Sequence, residues 1–181
     1  MKKTILTLLL GLMVSVLTHA QIYSTQTASV SFYSATPVED IEASCKTVIA
    51  VLNTATGEMA FQITNTAFGF KNKLMEEHFN EKYMESDKNP KSTFKGKINE
   101  KIDFTKDGEY NVTVTGKLNI HGVEQDRTIS GKVIVKEGKI QLLTSFKVKN
   151  ADHKVEIPKI VSAKIAEELD VKVDALLLPK K

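Results

Sequence analysis

From residue 110 to residue 120 the chain alternates strictly. Tyr110, Val112, Val114, Gly116, Leu118 and Ile120 fall on one side, and Asn111, Thr113, Thr115, Lys117 and Asn119 on the other. A side-chain period of two over that length marks a strand with one face buried. At about 3.3 Å per residue it runs roughly 35 Å. The same period places Ala28, Val30 and Phe32 on one face of 28–34, and Met59, Phe61 and Ile63 on one face of 58–64. It is looser over 92–104, where Phe94, Gly96 and Ile98 share a face. It returns at Ile129, Gly131, Val133 and Val135, at Ile140, Leu142, Thr144, Phe146 and Val148, and at Val171, Val173, Ala175 and Leu177. Residues 42–52 read as a longer, less regular strand.

Turn residues punctuate these runs. Thr54-Ala55-Thr56-Gly57 follows one strand, and Asp107-Gly108 is a tight-hairpin signal. Gly122 follows Ile120-His121, and Gly138 follows Lys136-Glu137; each glycine supplies a positive φ at little cost. Spacings of about 15 residues suit a meander of long strands. Such a meander buries its apolar face either as a sandwich or by closing into a barrel.

Two stretches change period. Over 71–84, Leu74, Met75, His78, Phe79 and Tyr83 fall along one side at helical spacing, with Lys73, Glu76, Glu77, Asn80 and Glu81 opposite. Over 158–169, Pro158 suits a first helical turn, and Ile160, Val161, Ile165 and Leu169 form an apolar stripe. The expectation is an all-β domain with one or two short helices covering its ends.

The N-terminus carries a different message. Lys2 and Lys3 precede an apolar run over 5–17, and Thr18-His19-Ala20 places small residues at the −3 and −1 positions. This is the pattern of a cleavable export signal, with cleavage expected after Ala20. The run is short of the roughly 20 apolar residues of a membrane span, and no second run of that length follows. The expected organisation is a signal peptide over 1–20 and one domain over 21–181, exported to a periplasm or secreted. Removing 20 of 181 residues leaves 161, enough for a substantial core. The formal charge of +3 loses Lys2 and Lys3 and becomes +1, with no basic stripe, which argues against a nucleic-acid partner. One cysteine, Cys45, excludes an internal disulfide and reads as a small buried strand residue.

Catalytic patterns are sparse. His78, His121 and His153 fall on a helix face, in a turn and in a loop, without the spacing of a metal site. No nucleophile elbow or phosphate-cradling glycine loop is present. Glu76 and Glu77 read as a solvated helix face, and Asp126-Arg127 as a charge pair flanking a turn. What stands out is phenylalanine: Phe32, Phe61, Phe68, Phe70, Phe79, Phe94, Phe104 and Phe146, in a chain without tryptophan. These rings fill a core, or they line a cavity in a barrel whose inward positions include the small residues Gly96, Gly116, Gly131, Thr144 and Ala175. An eight-stranded barrel is wide enough for side chains or for one small ligand.

The stretch Val114-Thr115-Gly116-Lys117-Leu118-Asn119-Ile120-His121-Gly122-Val123 resembles the Gly-x-Leu-x-Ile-His-Gly-Val signature of the YceI-like family. Leu74-Met75-Glu76-Glu77-His78-Phe79, Pro90-Lys91-Ser92-Thr93-Phe94-Lys95-Gly96 and Ser29-Val30-Ser31-Phe32 are similar to that family's helix, Pro turn with following strand, and first strand. The resemblance implies an elongated, eight-stranded, antiparallel, lipocalin-like β-barrel that binds a polyisoprenoid or other long-chain lipid, with no catalytic residues to carry over. The ligand-lining candidates are then Phe32, Phe61, Phe68, Phe70, Leu74, Phe79, Tyr83, Phe94, Val112, Val114, Leu118 and Phe146. No cofactor is implied other than the lipid, no stable membrane span is expected, and a second copy of the chain is a further candidate partner. Two alternatives remain at this stage. One is a structural barrel with a filled core. The other is an enzyme acting on a lipidic or quinone-like substrate, which would need an inward polar pair such as His121 with Asp126 or Glu124, although His121 is expected outside.

Overall fold

The structure, a computed structural model, describes residues 22–180. The leader assigned to 1–20 lies outside them. The strands are β1 (Ile22–Ala35), β2 (Asp40–Asn53), β3 (Glu58–Thr64), β4 (Gly69–Phe70), β5 (Lys91–Ile98), β6 (Gly108–Ile120), β7 (Val123–Lys136), β8 (Lys139–Lys149) and β9 (Glu168–Pro179). From β1 the hydrogen-bonded order runs β9, β8, β7, β6, β5, β3, β2, and β2 pairs back onto β1. Every pairing is antiparallel, and eight strands close into a barrel. The two-residue β4 is an addition to β2, with Ala43 opposite Phe70 and Ser44 opposite Gly69.

The period of two explains the interior. On β6, Val112, Val114 and Leu118 are buried while Asn111, Thr115 and Lys117 face water. Two hairpins are as tight as their sequences suggest. His121 (φ 53°) with Gly122 (φ 72°), and Glu137 (φ 51°) with Gly138 (φ 71°), form two-residue loops with positive φ at both positions, the geometry that matches the strand twist.

Connections sort to two ends. At one end lie the turn over 54–57, the loop over 99–107, the turn at Glu137-Gly138 and the two ends of the described chain. There the interior is solid: Val48, Ala50, Leu52, Ile140, Ala175 and Leu177 have no exposed surface. Cys45 belongs to the same core. The other end carries the long insertions over 65–90 and 150–167.

Four sequence expectations are corrected. The strand expected over 92–104 stops at Ile98. Beyond it, the Asn99 amide donates to the Thr113 carbonyl, and the Glu100 carboxylate accepts from both the amide and the hydroxyl of Thr113. These bonds end the pairing with β6 and leave Phe104 in a nine-residue connection over 99–107, where it packs against the core, so Asp107-Gly108 is not a tight hairpin. The helix expected over 71–84 is a single α-turn pair, α1 (Lys73–His78), that widens into a π-helical turn over Phe79–Tyr83. The helix expected over 158–169 is absent. Only a 3-10 turn, Lys159–Val161, forms, and Ile160 is 92% exposed. The Ser34 hydroxyl accepts from the Ala166 amide, and the Asn150 side chain donates to the Ala166 carbonyl. Both backbone groups of Ala166 are thereby committed to neighbours outside the segment, and the helix has nowhere to close.

Candidate functional site

Beneath the end covered by the two insertions lies one apolar cavity of about 540 Å³, within the range of ligand pockets. Its depth is set by the solid core at the far end, and its walls by the inward faces of the strands. β3 contributes Phe61, β5 Phe94, β6 Val112, Val114 and Leu118, and β8 Phe146. β1 contributes Phe32. The insertion over 65–90 supplies Phe68, Phe70, Leu74, Phe79 and Tyr83. All twelve side chains singled out from the sequence therefore border the same cavity.

The cap is built around four rings. Phe79 lies 5.1 Å from Phe70, 5.6 Å from Phe68 and 5.6 Å from Phe32, centre to centre, and Phe32 also touches Phe68 at 5.4 Å and Phe70 at 5.8 Å. These separations are in the range where tilted and edge-on aromatic pairs add to simple burial. Phe68 is brought in by the short β4 pairing on β2, and Phe79 by the π-turn, which rotates the ring onto the cluster. Asn72 caps α1, accepting from the Leu74 amide at 2.9 Å. Glu76 is less solvated than expected. It accepts from Lys73 at 2.7 Å and from the Phe70 amide at 3.3 Å, and these two bonds, Lys73 first, hold its carboxyl below the ordinary range. Leu74, expected to face inward, stands at the rim and is 56% exposed.

The second insertion ties down from the opposite side. His153, expected in a surface loop, has no exposed surface. Its Nδ1 bonds the Val123 carbonyl at 3.0 Å, and its Nε2 is buried without a hydrogen-bond partner. Burial is the main reason its pKa is pushed down; the Val123 carbonyl acts the other way. His121 does sit at a turn, but its ring is held between the His153 carbonyl and Glu85 Oε2, both at 3.2 Å. It does not border the cavity. Glu124 and Asp126 reach Lys117 instead, at 2.8 and 3.5 Å, so the inward polar pair an enzyme would need is not formed by these residues. Arg127 and Asp126 lie within β7, not at a turn. Among the described residues no group of three or more His, Cys, Asp or Glu side chains is placed to hold a metal ion.

Sequence reasoning passed over further lining residues that the same period already marks: Met59 and Ile63 on β3, Leu142 on β8, Val171 and Val173 on β9. Val161, Ile165 and Leu169 had been marked only as the apolar stripe of an expected helix, and Val155 carried no signal. The small inward residues divide. Gly131 and Thr144 border the cavity, but Gly96, Gly116 and Ala175 do not.

A family model described as a YceI-like domain matches residues 15–177. Among solved structures, a polyisoprenoid binding domain from Saccharophagus degradans, described as implicated in plant cell wall breakdown, superposes with a TM-score of 0.76 at 14% identity over 89% of this chain and 99% of that one. BcnA of Burkholderia cenocepacia gives 0.70 at 19% identity over 83% and 95%. A YCEI protein of Campylobacter jejuni gives 0.59 at 21% identity over 77% and 84%. No curated protein matches the sequence.

Proposed function

The chain belongs to the YceI-like family, and we propose that it is a binding protein that holds the hydrocarbon chain of a polyisoprenoid or similar long lipid in the barrel cavity, without chemistry of its own. The observation that carries this reading is the apolar cavity of about 540 Å³ with a built aromatic cap. A dry apolar cavity of about 150 Å³ accepts benzene, so by proportion this one takes roughly 20 carbon atoms. At about 0.8 kcal/mol per buried methylene, a chain of that size offsets the several kcal/mol of ordering and association cost. A relative of the same fold from Saccharophagus degradans is described as polyisoprenoid-binding. The leader over residues 1–20 supports export, after cleavage following Ala20, to a compartment where a lipid between membranes needs a carrier. No helix among the described residues is long and apolar enough to cross a membrane.

Titration with the fluorescent polyene cis-parinaric acid, followed by displacement with prenols of increasing length, tests the proposal. Saturable binding at one site, with displacement strengthening up to chains of about 20 carbons, is expected. Absence of saturable binding of any of these chains would remove it.

A further inference from the structure

A lipid must enter a cavity whose axial end is covered on two sides and whose far end is solid. Most of the wall is a continuous backbone ladder. β6 pairs with β7 from Gly108 opposite Val135 to Ile120 opposite Val123, and β8 pairs with β9 from Ile140 opposite Leu177 to Lys149 opposite Glu168. β1 and β9 lose their pairing between Ser24 and Ser29, and β5 reaches β6 only as far as Val114, both toward the packed end; around the cavity two seams are incomplete. β2 and β3 share only four pairs, Ile49 to Leu52 with Met59 to Gln62, but that gap is filled by β4 and the four-ring cluster. β7 and β8 pair only from Gly131 opposite Thr144 to Lys136 opposite Lys139. Beyond that rung, residues 123–130 of β7 and 145–149 of β8 face each other with no backbone pairing between them, and the turn Ala151–His153 of the second insertion packs against the top of the seam.

Side chains hold this seam instead. The Arg127 guanidinium donates to the Lys147 carbonyl and lies 3.8 Å from the Asp152 carboxylate. The Gln125 amide donates to the Asp152 carbonyl at 2.7 Å, and the Thr144 hydroxyl to the Ser130 carbonyl at 2.6 Å. His153 Nδ1 closes the top against Val123. Where the ladder ends, the cavity and a groove on the outer face of the barrel share Ser130, Gly131, Lys132, Leu143 and Thr144. A methyl group on Gly131 would press on the Leu143 carbonyl oxygen at 2.8 Å, so the strands pinch together at the last rung and splay from it.

We propose that the β7–β8 seam is a lateral portal for the lipid, latched by Arg127. This rests on the reading that the cavity holds a lipid. Opening the seam breaks side-chain bonds and no rung of the barrel ladder, whereas any other passage through the wall around the cavity breaks backbone pairs or disperses the aromatic cluster. Arg127 is outside the cavity lining, so releasing the latch changes the speed of exchange more than its equilibrium.

Stopped-flow mixing with cis-parinaric acid tests this. Compared with the wild type, Arg127→Ala should take up and release the probe about five- to tenfold faster, with affinity changed less than about twofold, and Arg127→Lys, which keeps the charge but loses the fork, should fall between. A second variant, Ser130→Cys with Ser145→Cys in a Cys45→Ala background, places thiols one position beyond the last rung. Its oxidised form should exchange the probe at least about tenfold more slowly than its reduced form. Rates equal in the oxidised and reduced forms overturn the portal; if that variant does not fold, unchanged rates in Arg127→Ala overturn it. A wild type that binds no probe removes the lipid-binding reading itself and the portal with it.

Discussion

Gly116 lies opposite Gly96 across β5 and β6. A methyl group on Gly116 would fall inside van der Waals contact with the Lys95 carbonyl oxygen and the Gly96 Cα. Small inward residues suggest room for a guest, but here the glycine serves the close approach of two strands and borders no cavity. Gly116→Ala should therefore cost about 2–3 kcal/mol, visible as a lower midpoint in urea unfolding, with ligand affinity little changed in the folded fraction. Phe79 shows the opposite pattern. It touches three other rings and borders the cavity. Phe79→Ala should cost roughly 3 kcal/mol and also weaken binding of a prenol about tenfold, measured by displacement of the fluorescent probe. Ten of the twelve lining residues were legible at this scale because each was a large apolar side chain at an inward strand position or on the apolar side of a helical stretch; Phe68 and Phe70 were singled out only as phenylalanines. The role of a glycine was not, because sequence does not show what stands opposite.

At the scale of elements, strands were more legible than helices. Alternation survives in the structure wherever one face packs inward, as on β3, β6, β8 and β9. The helical stripe over 158–169 kept its apolar character, since Val161, Ile165 and Leu169 still border the cavity, but no helix formed because Ala166 is bonded on both sides from outside, and Ile160 is left in water. His153 became a buried tie of the cap for the same kind of reason: its partner, the Val123 carbonyl, is 30 residues away in sequence. That burial has a consequence for pH. The folded chain holds the His153 imidazole below its usual 6.5, so between that value and its lower folded pKa the unfolded chain binds the extra proton. Stability should be level above about pH 7 and decline as pH falls below about 6.5. The carboxylates held low by hydrogen bonds, Glu76, Glu85, Glu100 and Asp103, lose their contribution only at more acid pH, beginning near the usual carboxylate range. Thermal melts between pH 8 and pH 5 check this, and His153→Phe should flatten the decline. Loss of the α1 cap in Asn72→Ala should cost about 1 kcal/mol, independent of pH over the same range.

At the scale of the molecule, a barrel with a filled core and a barrel with a cavity looked like alternatives from the sequence. The structure contains both. One end is packed to the point where Leu52, Ile140 and Leu177 expose nothing, and the other encloses about 540 Å³ beneath four rings. The division follows from the connections. The chain ends gather at the packed end, and the two long insertions gather at the other. No periodicity along one strand reveals that sorting, since it depends on which strands follow which around the barrel. A chain of roughly 20 carbons seated in that half is the central claim. Native mass spectrometry of the protein purified after expression of the full chain, paired with analysis of the organic extract of the same sample, tests it most directly. The expected result is a one-to-one complex whose added mass matches a long-chain lipid found in the extract. A folded protein that carries no lipid, and still shows none after incubation with a 20-carbon prenol, would contradict it.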